Sequence, residues 1–143
     1  MASPIDNAAS AIEYLALWDT GATRSVIDRR VASQCALLPV GIQRVTGVHG
    51  AADANAYLIK LTLPNDVVFP SLMVTEGSLG EEIGVLIGMD VISCGDFAVT
   101  NRDNRTIFTF RMPSIARHDY VKEHEASERR RLKKTRRKVR KRR

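Results

Sequence analysis

The apolar residues of this chain arrive in short runs, each stopped within about eight positions by Gly, Pro, Asn or Asp, and that cadence is what most narrows the fold. Residues 12–18 (IEYLALW) alternate in part and halt at Asp19-Thr20-Gly21, which reads as a strand entering a turn. Residues 42–48 and 56–63 read as the arms of a long hairpin with a soft, Gly-containing tip at residues 49–53. In the return arm Tyr57, Ile59, Leu61 and Leu63 alternate against Lys60 and Thr62, so one face is buried. Pro64-Asn65-Asp66 turns the chain into a strand at residues 67–74, where Pro70 is tolerable at an edge or a bulge. Residues 76–82 have the composition of a mobile loop. Residues 83–87 form a compact apolar strand ending at Gly88, and 97–100 with 106–110 flank a polar turn as a last hairpin. Two short helices punctuate this series. Asp28 caps one running to about residue 35, and Gly95 ends the other, residues 89–94. The expectation is a mostly β, single-lobe, closed barrel-like domain with one or two short helices.

A chain of 143 residues has room for one such domain with a core able to fold unaided. Its net charge of +6 hides a division. Up to residue 128 there are ten Lys/Arg and all sixteen Asp/Glu, leaving that part near −6, whereas residues 129–143 hold twelve Lys/Arg and no acid. Beyond Pro113 there is no Gly or Pro and one aromatic, Tyr120. The chain therefore divides into a folded domain, 1–112, and a charged, strongly basic tail, 113–143, expected to be disordered or marginally helical. Such a tail is a solvated tether or an arm for a polyanion, nucleic acid or an acidic protein, through residues 129–143. It lacks the interleaved aromatics that stack on bases and the apolar face that enters a membrane. No stretch approaches the length of a membrane span, and nothing argues for export, so the cytoplasm is the expected location. Cys35 and Cys94 form no CxxC and are expected as buried free thiols, weakly favouring a reducing compartment.

The chemistry concentrates in Leu17-Trp18-Asp19-Thr20-Gly21-Ala22-Thr23. An Asp-Thr-Gly alone is a weak signal, but this one follows an apolar strand and precedes Val26-Ile27. Near residue 86, Leu86-Ile87-Gly88 supplies two apolar residues and a Gly leading into a helix. Asp90 reads as an acid favouring that helix's N-terminus. His49 reads as an exposed tip residue, and His118 and His124 lack the clustered partners of a metal site, so no metal or cofactor is expected. Gly84 to Gly88 resembles a phosphate loop only superficially, since Met89-Asp90 stand where Lys-Ser/Thr is required.

Over about residues 15–110 these motifs resemble the retropepsin-like aspartic peptidases, the retroviral proteases and their cellular and bacterial relatives. The short helix after the turn and Ile87-Gly88-Met89-Asp90 look closer to the cellular and bacterial branch. The resemblance implies a peptide or protein substrate and two carboxylates sharing one proton, with water as nucleophile. Since the chain has one Asp-Thr-Gly and is too short for two lobes, the second carboxylate would be Asp19 of another copy in a symmetric homodimer. Thr20 would hydrogen-bond across the axis, Gly21 would let the backbone pass close to substrate, and Ala22, Ile87 and Gly88 would support the site. Gly47, Val48, His49, Gly50 and Ala51 would form a flap closing over substrate. Retroviral enzymes pair an Arg after the second Gly with an acid two residues after the first motif; here Met89 and Thr23 stand there, so a differently built dimer interface is expected. The other reading is a retropepsin-fold binding module that cleaves nothing and docks through its basic tail.

Overall fold

The computed structural model describes residues 11–47 and 50–140. Six strands form one mixed sheet: β1 (Leu15–Trp18), β2 (Val26–Asp28), β3 (Gly41–Gly47), β4 (Gly50–Thr62), β5 (Val68–Gly77) and β6 (Ile83–Ile87), in the order β1-β6-β2-β5-β4-β3. A separate two-stranded sheet pairs β7 (Asp96–Arg102) with β8 (Arg105–Arg111). The helices are α1 (Arg29–Gln34), α2 (Met89–Ile92) and α3 (Tyr120–Arg140).

The expected closed barrel is not what forms. β1 and β3 are the two edges of an open sheet, and the last hairpin does not bridge them. Its aromatic face is taken up by side-chain packing instead: Phe97, Phe108 and Phe110 lie 5.4, 5.9 and 5.1 Å, ring centre to ring centre, from Trp18. The hairpin is thus stacked on the end of β1 by its rings rather than joined to an edge by backbone pairing.

β6 explains why residues 83–87 read as an unbroken apolar run. It lies inside the sheet, parallel to β1 and antiparallel to β2, so alternation has no solvent face to follow. Ile27 on β2, Ile87 on β6, Val74 on β5 and Val91 on α2 are at most 1% exposed and form the heart of the core. Each such side chain contributes about 1.5–3 kcal/mol by leaving water.

Local chemistry sets the element ends. Asp28 caps α1 by accepting from the Arg30 backbone N–H at 3.0 Å. The same carboxylate accepts from Leu79 N–H at 2.9 Å and Arg30 Nε at 2.8 Å, while the Arg30 guanidinium also donates to the carbonyls of Gly80 and Glu81. The segment expected to be a mobile loop is therefore held: β5 runs on to Gly77, and the residues after it are tied to the start of α1. Pro70 falls where the β4–β5 register shifts, between the pairs Ile59–Leu72 and Leu61–Phe69, where its missing N–H costs no ladder bond.

One further expectation changes. Cys35 and Cys94 are free but exposed, because they sit just past the ends of α1 and α2 rather than on the inward faces. Of the two expectations for the tail, disordered or marginally helical, the structure takes the helical one, from Tyr120 to Arg140. Asp119 starts it, its carboxylate accepting from Lys122 N–H at 3.1 Å. Acids gather in its first half and bases in its second, the order the helix dipole favours, and Glu125 meets Arg129 at 3.3 Å one turn on. Among the described residues no helix is long and apolar enough to cross a membrane.

Candidate active site

Asp19 is placed by the pairing of β1 with β6. Trp18 lies opposite Ile87, and the next residue, Asp19, donates its backbone N–H to the Ile87 carbonyl at 2.9 Å. The chain then turns tightly. Gly21 N–H donates to Asp19 Oδ1 at 2.8 Å, and Ala22 N–H reaches the Asp19 carbonyl at 3.3 Å. A Cβ on Gly21 would stand 3.2 Å from Asp19 Oδ1, tight against the carboxylate it orients. Asp19 is half-buried, while Thr20 and Gly21 face solvent.

The second motif is brought directly beneath this turn. Met89 N–H donates to the Ala22 carbonyl at 2.8 Å. At Gly88 a Cβ would lie 2.6 Å from the Arg24 carbonyl carbon, 2.7 Å from its oxygen and 3.0 Å from the Ala22 oxygen. Backbone packs on backbone here, and no side chain fits.

A clamp that sequence reading did not assemble completes the arrangement. Ser25 is fully buried, and its hydroxyl donates to Asp90 Oδ1 at 2.7 Å while accepting from Gly88 N–H at 3.1 Å. Ser25 N–H donates to Asp90 Oδ2 at 2.9 Å. Asp90 does accept from the Val91 N–H at the start of α2, at 3.0 Å, as a helix acid should, but it also locks the far end of the Asp19 loop. The only signal for Ser25 was a small hydroxyl residue at the mouth of the run Val26-Ile27, and nothing local pairs it with an acid 65 positions away.

Asp19, Thr20, Gly21, Ala22, Ile87 and Gly88 are thus one cluster. The expected flap is a real hairpin: Gly47 pairs with Gly50 and Thr46 with Ala51, with Gly50 at φ 111°. Val48 and His49 lie outside the described residues. Its strands β3 and β4 occupy the edge of the sheet opposite β1. Among the described residues no three His, Cys, Asp or Glu side chains gather where they could hold a metal ion.

A carboxylate on a half-open turn, oriented by one backbone N–H, is a group that can take a proton from water or give one to a carbonyl. A family model described as aspartyl protease matches residues 9–91, more than half of the chain, and spans both motifs and the hairpin between them. The chain belongs to the aspartyl protease family. It is of the retropepsin-like kind. No curated protein matches this aspartyl protease. Its β7–β8 hairpin and α3 lie beyond the matched residues.

Proposed function

We propose that this aspartyl protease is an endopeptidase whose site forms between two copies of the chain, each contributing Asp19. The observation that carries the reading is the single half-open Asp-Thr-Gly turn seated on Gly88. One carboxylate cannot serve as base and acid in the same step; two that share a proton can. The ionised member takes a proton from water, whose oxygen adds to the scissile carbonyl carbon. The protonated member gives its proton to the carbonyl oxygen. When the carbon–nitrogen bond breaks, the nitrogen leaves with the proton taken from water. A hydroxyl of the intermediate returns a proton to the other carboxylate, so one water is consumed per bond and the pair is restored.

Residues 1–112 are the peptidase domain and 113–143 an appended arm. Leu15 and Leu17 on β1, and Val99, Ile107 and Phe108 on the hairpin stacked against Trp18, are all roughly half exposed or more. They are the apolar surface that a second copy would cover. Helix α1 and Met89 favour the cellular and bacterial branch of the family. The reading is tested by incubating a mixed peptide pool with wild type and with Asp19→Asn. Internal cleavage by the wild type that is lost in the variant is the expected result, and equal cleavage by both would refute it.

A further inference from the structure

The second half of α3 has a property the peptidase reading does not use. Nine of its residues from 129 to 140 are Lys or Arg. At a rise of about 1.5 Å per residue, these residues fall about one per 2.0 Å along the helix axis. Double-stranded DNA carries one phosphate per about 1.7 Å of its own axis, and its major groove, about 12 Å wide, admits an α-helix. We infer that α3 is a DNA-binding arm that lies in the major groove of duplex DNA, against its phosphates, without reading its sequence.

Other polyanions fit less well. A membrane surface would call for an apolar face, and from Arg129 to Arg140 only Leu132 and Val139 are large and apolar. Single strands are held by stacking on aromatics, and the helix has only Tyr120, at its far end. In duplex RNA the major groove is too narrow for a helix. Arginine, with its planar fork suited to phosphate, outnumbers lysine in this stretch.

The rest of the fold suits an arm. α3 is exposed from Tyr120 to Lys134 except for the half-buried Glu128. Its root is fixed: Asp96 accepts from Arg111 Nε at 2.8 Å, the Ser114 hydroxyl at 2.5 Å, and the backbone N–H groups of Ile115 and Ala116 at 3.0 and 3.1 Å. The acidic remainder of the chain repels DNA, so contact falls to the arm alone. Bases one turn apart, such as Arg129 with Lys133 and Arg130 with Lys134, repel each other in the free helix, and phosphates between them would relieve that repulsion.

The test uses the full chain and the variant Arg129→Gln/Arg130→Gln/Lys133→Gln/Lys134→Gln, in which glutamine preserves helix propensity. Binding to a labelled random-sequence DNA duplex is followed by anisotropy from 50 to 200 mM salt, beside a duplex RNA, polyglutamate and vesicles of anionic lipid. The wild type should bind the DNA duplex tightest and lose at least about a thousandfold in affinity over that salt range, as neutralising six or more phosphates requires. The variant should lose most of the binding and have a flatter salt slope. Circular dichroism should show helix content rising with DNA and the variant folded without it. Equal or tighter binding to polyglutamate, RNA or vesicles, or a variant that binds like the wild type, would overturn the inference. Cleavage of a short peptide, unchanged in the variant, separates this result from the fate of the peptidase reading.

Discussion

At Gly88 a single methyl group would come within 2.6 Å of the Arg24 carbonyl carbon, and that atom cannot retreat without moving the loop that carries Asp19. Gly88→Ala is therefore expected to cost about 1–3 kcal/mol in denaturant unfolding, as overpacking does, and to abolish peptide cleavage by displacing the turn. A variant with wild-type stability and activity would mean the close approach is not required. Ser25 gives a complementary case. Removing its hydroxyl leaves Gly88 N–H without its side-chain acceptor and Asp90 Oδ1 without that donor, so Ser25→Ala should cost about 1–3 kcal/mol. Ser25→Thr keeps the hydroxyl and should recover most of the loss. If alanine and threonine unfold at the same denaturant concentration, the hydroxyl is not what holds the loop. Asp19 was legible because three residues in a row encode its turn. Ser25 was not, because its partner is brought by the fold rather than by the chain.

At the scale of elements, what could be read depended on whether a segment buries one face. The inner half of β4 alternates and was readable; its outer half, Gly50 to Asn55, is made of small or polar residues that pair with β3 without an apolar face to mark the strand. β2 is three residues long, too short to show a period. The open sheet was not legible because residue pattern does not say whether a hairpin meets its neighbour by backbone or by rings, and Trp18 decides for rings. The flap hairpin permits a prediction of its own. Gly50 has open space around it but a φ of 111°, which a β-branched residue tolerates poorly. Gly50→Val should lower turnover several-fold while the core and its unfolding midpoint stay nearly unchanged. Kinetics identical to wild type would remove this hairpin from the proposed gating role.

For the whole molecule, two carboxylates outside the site bear on the pH at which it can work. The Leu79 N–H and then Arg30 hold the Asp28 carboxyl well below the usual carboxylate range, and the Ser114 hydroxyl, Ile115 N–H and Arg111 do the same for Asp96. Because the folded state lowers both, their contribution to stability is complete above the unfolded value of about 3.9 and is lost as pH falls through the folded one. Thermal unfolding should thus be nearly flat from neutrality to about pH 5 and fall steeply below about pH 4, less steeply in Asp28→Asn. A steady decline beginning near neutrality would contradict this. The stable window covers the mildly acidic range in which a proton-sharing pair of carboxylates is expected to give a bell-shaped rate.

The central claim, that one site is made from two chains, is tested most directly by mixing. Asp19→Asn keeps the size of the side chain but cannot supply a second carboxylate, so a mixed pair has one acid and one amide. Wild type and variant co-refolded in equal amounts, with subunit exchange confirmed, leave about a quarter of the pairs with two aspartates if they associate at random. Cleavage should then follow the square of the wild-type fraction and fall to about a quarter of that of the same total amount of wild type. A rate that tracks the wild-type fraction linearly, at about half, would place the whole site within one chain and contradict the account.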